Sequence, residues 1–194
     1  MLTVNKIAIT GHTSGLGLAL TKYCDNNGIK WVGFSRSTGH NISDRAFQMG
    51  LPKAIEDCDV FINNACDFQH NQIALLYEMW NHWQQLNKQI VCISSTSQEY
   101  LHKNKVYPYD AYKQGLDYAC AQLQYIYEAR CKVINIKPGW IDTPSAVEVE
   151  KTIDYPVPHK MDPNYVAEVV MWTLQQPEHI ESITVSERRN ADSK

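Results

Sequence analysis

With 194 residues, of which 44% are hydrophobic, the chain is long enough for one domain with a substantial buried core. A formal charge of −3 gives no reason to expect nucleic acid or an acidic membrane surface as a partner, and no stretch is long and apolar enough to span a bilayer. The cysteines (24, 58, 66, 92, 120 and 131) have no metal-like spacing and the histidines form no ligand pair, so no metal site is expected. The cysteines read as reduced thiols of a cytoplasmic protein, in keeping with an N-terminus that enters a strand without a signal-like segment.

Apolar runs alternate with helical patterns along the chain. Lys6-Ile7-Ala8-Ile9-Thr10 reads as a first strand, running through a glycine turn at 11–17 into a helix that Gly28 closes. Further strands are expected at Trp31–Phe34, Asp59–Ile62, Gln89–Ile93, Lys132–Ile136 and Ser182–Val185. Tyr112, Leu116, Ala119, Leu123 and Ile126 form a helical stripe. Asp162-Pro163 opens a last helix as N-cap and first residue, and Pro177 stops it. The alternation predicts an α/β, doubly wound, mostly parallel sheet of Rossmann type. It forms a single three-layer αβα domain over 1–186, followed by a frayed polar tail at 187–194.

Two places carry chemistry. Gly11, Gly15 and Gly17, between strand and helix, suit a pyrophosphate on a helix N-terminus, with Thr13, Ser14 and Leu16 in the same loop. Ser14 and Leu16 would offer backbone N–H groups there, whereas His12 reads as a solvated loop residue. Tyr109 and Lys113 are four residues apart on a helix, so their side chains point the same way. An ammonium beside a phenol favours the phenolate and makes an acid/base for an alcohol or carbonyl. A serine hydroxyl from the pair Ser94-Ser95, which ends the Gln89–Ile93 strand, could hold the substrate oxygen.

Thr10 to Gly17, Asn63-Asn64-Ala65-Cys66, Ile93-Ser94-Ser95, Tyr109 to Lys113, and Pro138-Gly139-Trp140-Ile141-Asp142-Thr143 stand in an order that resembles the short-chain dehydrogenases/reductases. The resemblance covers nearly the whole chain and implies a nicotinamide cofactor. It implies that Ser95, with Ser94 and then Thr96 as fallbacks, Tyr109 and Lys113 are catalytic, with Asn71 relaying protons to the lysine and Asn81 and Asn87 as rivals. By the same resemblance Asn41 and Ile42 would meet the adenine, and Asn63, Asn64 and Ala65 would brace the sheet and line the ribose. Pro138, Gly139, Trp140, Ile141 and Thr143 would surround the carboxamide, with Trp140 packing on ring or substrate. Cys66 replaces a family glycine, the family's third strand is missing or reduced to about 40–42, and the segments before Ser95 and after Thr143 are contracted.

After the second strand an NAD enzyme carries an acidic residue, whereas this chain has Ser35-Arg36-Ser37. A guanidinium binds phosphate bidentately, so NADP(H) is favoured over NAD(H). The expected activity is interconversion of a carbonyl and an alcohol on a small molecule; the alternatives are a non-catalytic NAD(P)-binding module and, less favoured, sugar-nucleotide chemistry. The resemblance also implies association through the helix bearing Tyr109, whose other face carries Ala111, Tyr118, Gln122 and Tyr125, as a homodimer or homotetramer.

Overall fold

The computed structural model describes residues 4–99, 107–151 and 159–187. Its strands are β1 (Lys6–Thr10), β2 (Lys30–Phe34), β3 (Val60–Asn63), β4 (Gln89–Ile93), β5 (Lys132–Pro138) and β6 (Ser182–Val185). They form one parallel sheet in the order β2-β1-β3-β4-β5-β6. The helices are α1 (Gly15–Asn26), α2 (Arg45–Ala54), α3 (Asn71–Trp83), α4 (Pro108–Gln124), α5 (Pro144–Glu150) and α6 (Pro163–Leu174).

Strand alternation divides the core into two layers. Ile7, Ile9, Val60, Ile62, Val91, Ile93, Ile134 and Ile136 face one side, with Leu16, Leu20, Val166 and Val170 from α1 and α6. Ala8, Phe61, Ile90, Cys92 and Val133 face the other, against α2, α3 and α4 through Leu51, Leu75, Met79 and Leu116. Being covered on both faces is why these strands read as continuous apolar runs. Residues 40–42 form no strand, so β2 is the sheet edge; Ile42 is buried against Phe34 and Leu51 instead. The expected helix boundaries hold: Gly28 has φ 68 just past the C-cap of α1, and the Asp162 carboxylate accepts from the Asn164 N–H at 2.8 Å. The contracted stretch after Thr143 forms α5 before residues 152–158, which lie outside the described residues.

Cys24, Cys58, Cys92, Cys120 and Cys131 are buried free thiols, and Cys66 is half-buried. Burial pushes Cys24 and Cys58 up to about 11 and Cys131 up to about 12, from a usual value of 9.0. An unfolded chain would ionise these thiols at the usual value. Between that pH and the folded values it binds fewer protons than the native state, so stability falls as pH rises through this window. Urea midpoints should therefore drop steeply above about pH 9, and less steeply in Cys131→Ala; an equally steep drop in the variant would rule out Cys131 as a contributor.

Candidate active site

The C-terminal ends of the strands open on a cleft of about 1540 Å³. One end is built by the glycine turn. Gly11 (φ 72) and Gly15 (φ 52) are left-handed, and the Gly11 N–H donates to Phe34 O at 2.7 Å, tying the turn to β2. A Cβ on Gly17 would stand 2.1 Å from Gly11 O, so α1 can start directly on the turn only with glycine there. Ser14 is the N-cap of α1 but makes no side-chain cap bond, which leaves the first-turn N–H groups to an anion. His12 is not solvated as expected. Its ring lies over Gly33, where a Cβ would come within 2.3 Å of it, and 5.8 Å from the Trp31 ring centroid. The absent side chain at Gly33 is what lets the imidazole fold inward.

Next to the turn, the chain after β2 forms a short 3-10 turn at Arg36–Thr38. Ser35 Oγ lies 2.9 Å from Ser37 Oγ and 3.2 Å from Thr38 Oγ1, and Ser37 Oγ donates to Thr13 Oγ1 at 3.3 Å. Arg36 is exposed and lines the cleft beside this hydroxyl cluster. Asn41 also lines it, although its Oδ1 already accepts from the Ser43 N–H at 3.1 Å. Ile42 touches the cleft from below while belonging to the core.

The middle of the cleft is braced by the β3 end. Thr10 Oγ1 accepts from the N–H groups of Asn64 (3.0 Å) and Ala65 (3.1 Å), and Asn64 Nδ2 donates to Thr10 O at 2.9 Å. Asn64 and Ala65 line the cleft; Asn63 and Gly17 do not. Asn63 is completely buried, and its amide donates to Gln72 O at 2.8 Å, fastening α3 to the sheet.

The far end gathers Ser95, Tyr109 and Lys113. The ladder to β5 continues past the end of β4, through Ser94 N–H to Ile136 O (2.7 Å) and Thr96 N–H to Pro138 O (2.9 Å). Strand alternation then buries Ser94 and Thr96 and turns Ser95, half-buried, to the cleft. Ser94 Oγ is spent on Lys113 O at 3.5 Å, while Ser95 Oγ accepts from the Ser97 N–H at 3.1 Å. Tyr109 is half-buried, with its ring 5.5 Å from that of Phe68 and 6.0 Å from that of Tyr107. Lys113 is 3% exposed, and its ammonium lies 5.4 Å from the Tyr109 ring centroid, within cation–π range. The one-turn spacing thus places the two groups together.

Asn71 is elsewhere: its amide donates to Asp67 (2.7 Å) and Gln69 (3.2 Å) in the loop before α3. The next residue, Gln72, is buried and its Oε1 accepts from Lys113 Nζ at 2.9 Å; Ile93 O is the second acceptor at 2.8 Å. The sequence reading missed Gln72, and the signal that could have found it is a polar residue on the apolar stripe of α3 with Leu75, Leu76 and Met79.

Pro138, Gly139, Trp140, Ile141 and Thr143 line the same end. The backbone of 140–142 is clamped by Met161 N–H to Trp140 O (2.8 Å) and Asp142 N–H to Met161 O (2.9 Å). Thr143 caps α5, its Oγ1 accepting from the Ala146 N–H at 3.2 Å. Glu187, expected to begin a frayed tail, lies in the cleft instead, and its carboxylate accepts from the Trp140 N–H at 3.2 Å. The β5–β6 pairing of Pro138 with Val185 carries it there.

Among the described residues no helix is long and apolar enough to cross a membrane, and no cluster of three or more His, Cys, Asp or Glu is placed to hold a metal ion. No protein-family model matches the chain, and no curated protein matches it. Solved structures do. The 3-alpha-hydroxysteroid dehydrogenase from Pseudomonas sp. B-0831, complexed with NADH, superposes with a TM-score of 0.73 at 16% identity, over 93% of this chain and 94% of that one. The 3-ketoacyl-(acyl-carrier-protein) reductase from Brucella melitensis, also complexed with NADH, gives 0.73 at 18% identity, over 94% and 96%. A short chain dehydrogenase from Burkholderia cenocepacia J2315, in complex with NADP, gives 0.74 at 16% identity, over 95% and 88%. The chain therefore has the fold of the short-chain dehydrogenases/reductases, in the compact form of a six-stranded sheet.

Proposed function

We propose that the protein is an NADP(H)-dependent oxidoreductase that interconverts a carbonyl and an alcohol on a small molecule. The observation that carries this reading is that Ser95, Tyr109 and Lys113 meet in one cleft with the glycine turn. The residues fit the dinucleotide: two left-handed glycines and the uncapped start of α1 suit a pyrophosphate, and Arg36 with the Thr13, Ser35 and Ser37 hydroxyls suits a 2′-phosphate. Asn64, Ala65, Pro138, Gly139, Trp140, Ile141 and Thr143 would hold the nicotinamide riboside, and Asn41 the adenine side. When bound, the cofactor supplies or accepts a hydride at the substrate carbon.

The chain supplies the rest. Ser95 hydrogen-bonds the carbonyl oxygen and Tyr109 gives its phenolic proton to that oxygen, so the carbon gains the hydride and the oxygen the proton; oxidation of the alcohol is the reverse. Lys113 would steady the phenolate left behind and hold the nicotinamide ribose. Trp140 packs against the reacting end. The reading extends to a cytoplasmic setting, suggested by six free cysteines, and to a homodimer or homotetramer, suggested by the exposed Tyr118 on α4 and Tyr125 at its C-cap.

A second reading, a non-catalytic NAD(P)-binding module, draws on Glu187, which holds a backbone N–H that the first reading gives to the cofactor end of the site. Calorimetric titration with NADPH and NADH, followed by a carbonyl panel, separates the two: binding without turnover of any panel member favours the module. In the same titration Arg36→Ala should weaken NADPH by roughly ten- to a hundredfold and leave NADH nearly unchanged. Equal losses for both cofactors would sink the 2′-phosphate assignment.

A further inference from the structure

Lys113 is buried, yet both acceptors that hold its ammonium are neutral: Gln72 Oε1 at 2.9 Å and Ile93 O at 2.8 Å. The Gln72 amide can sit only one way. Its Nε2 donates to Asn63 O at 2.8 Å and Ile93 O at 3.1 Å, and two carbonyl oxygens can be served only by the NH2 end. That leaves Oε1 aimed at Lys113. The amide is itself anchored, since Asn63 Nδ2 donates back to Gln72 O at 2.8 Å. One buried side chain therefore ties together the β3 end, the β4 end and the catalytic helix.

We infer that Gln72 is a positioning residue for the acid/base pair, fixing the Lys113 ammonium through a neutral oxygen and so leaving its charge uncompensated for Tyr109. The inference rests on the reading of Tyr109 as the proton donor. A carboxylate at the same place would hold the lysine as firmly but would cancel its field, which in a buried site is strong. Among the described residues no carboxylate lies within ion-pair distance of the Lys113 ammonium. Asp117, one turn beyond Lys113 on α4, accepts from Gln98 at 2.6 Å and from Asn135 at 2.8 Å. Asp110 lies in the first turn of α4, and Tyr112 packs on His70 at 4.8 Å. Behind Lys113 stand the buried thiols of Cys92 on β4 and Cys120 on α4. From the β3–α3 loop come Cys66 and Asp67, the latter holding the Asn71 amide at 2.7 Å. After β4, Glu99 pairs with Lys137 at 2.9 Å, and across the cleft Glu187 is on the Trp140 N–H. A neutral Gln72 thus leaves the lysine facing the phenol with its charge intact.

The test uses the full chain carrying 13C at tyrosine Cζ, with the Tyr109 resonance assigned by its loss in Tyr109→Phe. Gln72→Glu and Gln72→Met both remove the amide donors, and the first alone adds a charge. The Tyr109 ionisation midpoint should rise by at least about one pH unit in Gln72→Glu, and by less than half of that in Gln72→Met. Equal midpoints in Gln72→Glu and wild type, or an equal rise in both variants, would overturn the inference. The holding is read separately with 15Nζ-lysine: a slowly exchanging Lys113 ammonium signal in wild type should be lost in Gln72→Met, and its survival there would also overturn the inference. This second measurement stands if Gln72→Glu does not fold. Failure of the wider reading looks different: wild type would then turn over no member of the carbonyl panel, whatever the Gln72 variants do.

Discussion

Tyr109→Phe is expected to lower carbonyl turnover by at least about a hundredfold, the usual contribution of a positioned acid/base, while NADPH binding changes by less than about threefold. The split follows from what the ring does apart from its hydroxyl. Its contacts with Phe68 (5.5 Å), Tyr107 (6.0 Å) and the Lys113 ammonium (5.4 Å) all involve the ring face or edge, which phenylalanine keeps. The variant should therefore fold and leave the cleft shape intact, with the transferable proton gone. Steady-state kinetics beside calorimetry check both halves. Retention of most of the activity would remove Tyr109 from the mechanism, and loss of binding would mean that its hydroxyl serves the cofactor instead.

Gly17→Ala should have the second large effect, this time on binding and stability together. The new Cβ would meet Gly11 O at 2.1 Å and Gly11 C at 2.7 Å, both backbone atoms that no rotamer change can move aside. The start of α1 must lift away from the turn, at a cost of about 3 kcal/mol or more, or roughly 10 °C in Tm for a chain of this size. Because the displaced atoms are those that aim N–H groups at a phosphate, NADPH affinity should fall by at least about tenfold even where the protein remains folded. Thermal melts with and without NADPH measure this. A variant that melts like wild type and is equally stabilised by the cofactor would show that the close approach is not needed.

The scaffold was legible because its signals are local. The strand runs, the glycine turn, the Asp162 cap and the one-turn spacing of Tyr109 and Lys113 all lie within a few residues of chain. Ser95 could be favoured over Ser94 and Thr96, and strand alternation explains why it faces the cleft. What escaped is set by partners distant in sequence. Gln72 meets a lysine 41 residues away, while its neighbour Asn71, turned elsewhere by α3, holds Asp67 in the loop before the helix. Glu187 reaches Trp140, 47 residues back, through strand pairing at the sheet's far edge. Phe68, a left-handed phenylalanine (φ 58) packed on Tyr109, has no sequence signature because only a fixed loop holds that backbone.

The His12 ring resting on Gly33 has a consequence for how this chain can vary. Position 12 lies in the turn after β1 and position 33 within β2, yet any side chain at 33 would occupy the place of the imidazole. A change at 33 is tolerated only after residue 12 has shrunk or turned outward, whereas a smaller residue at 12 opens space without conflict. The two positions should therefore be inherited as a pair. In related sequences histidine at the first and glycine at the second should occur together far more often than chance, with small residues at 12 as the stepping stone between the two states.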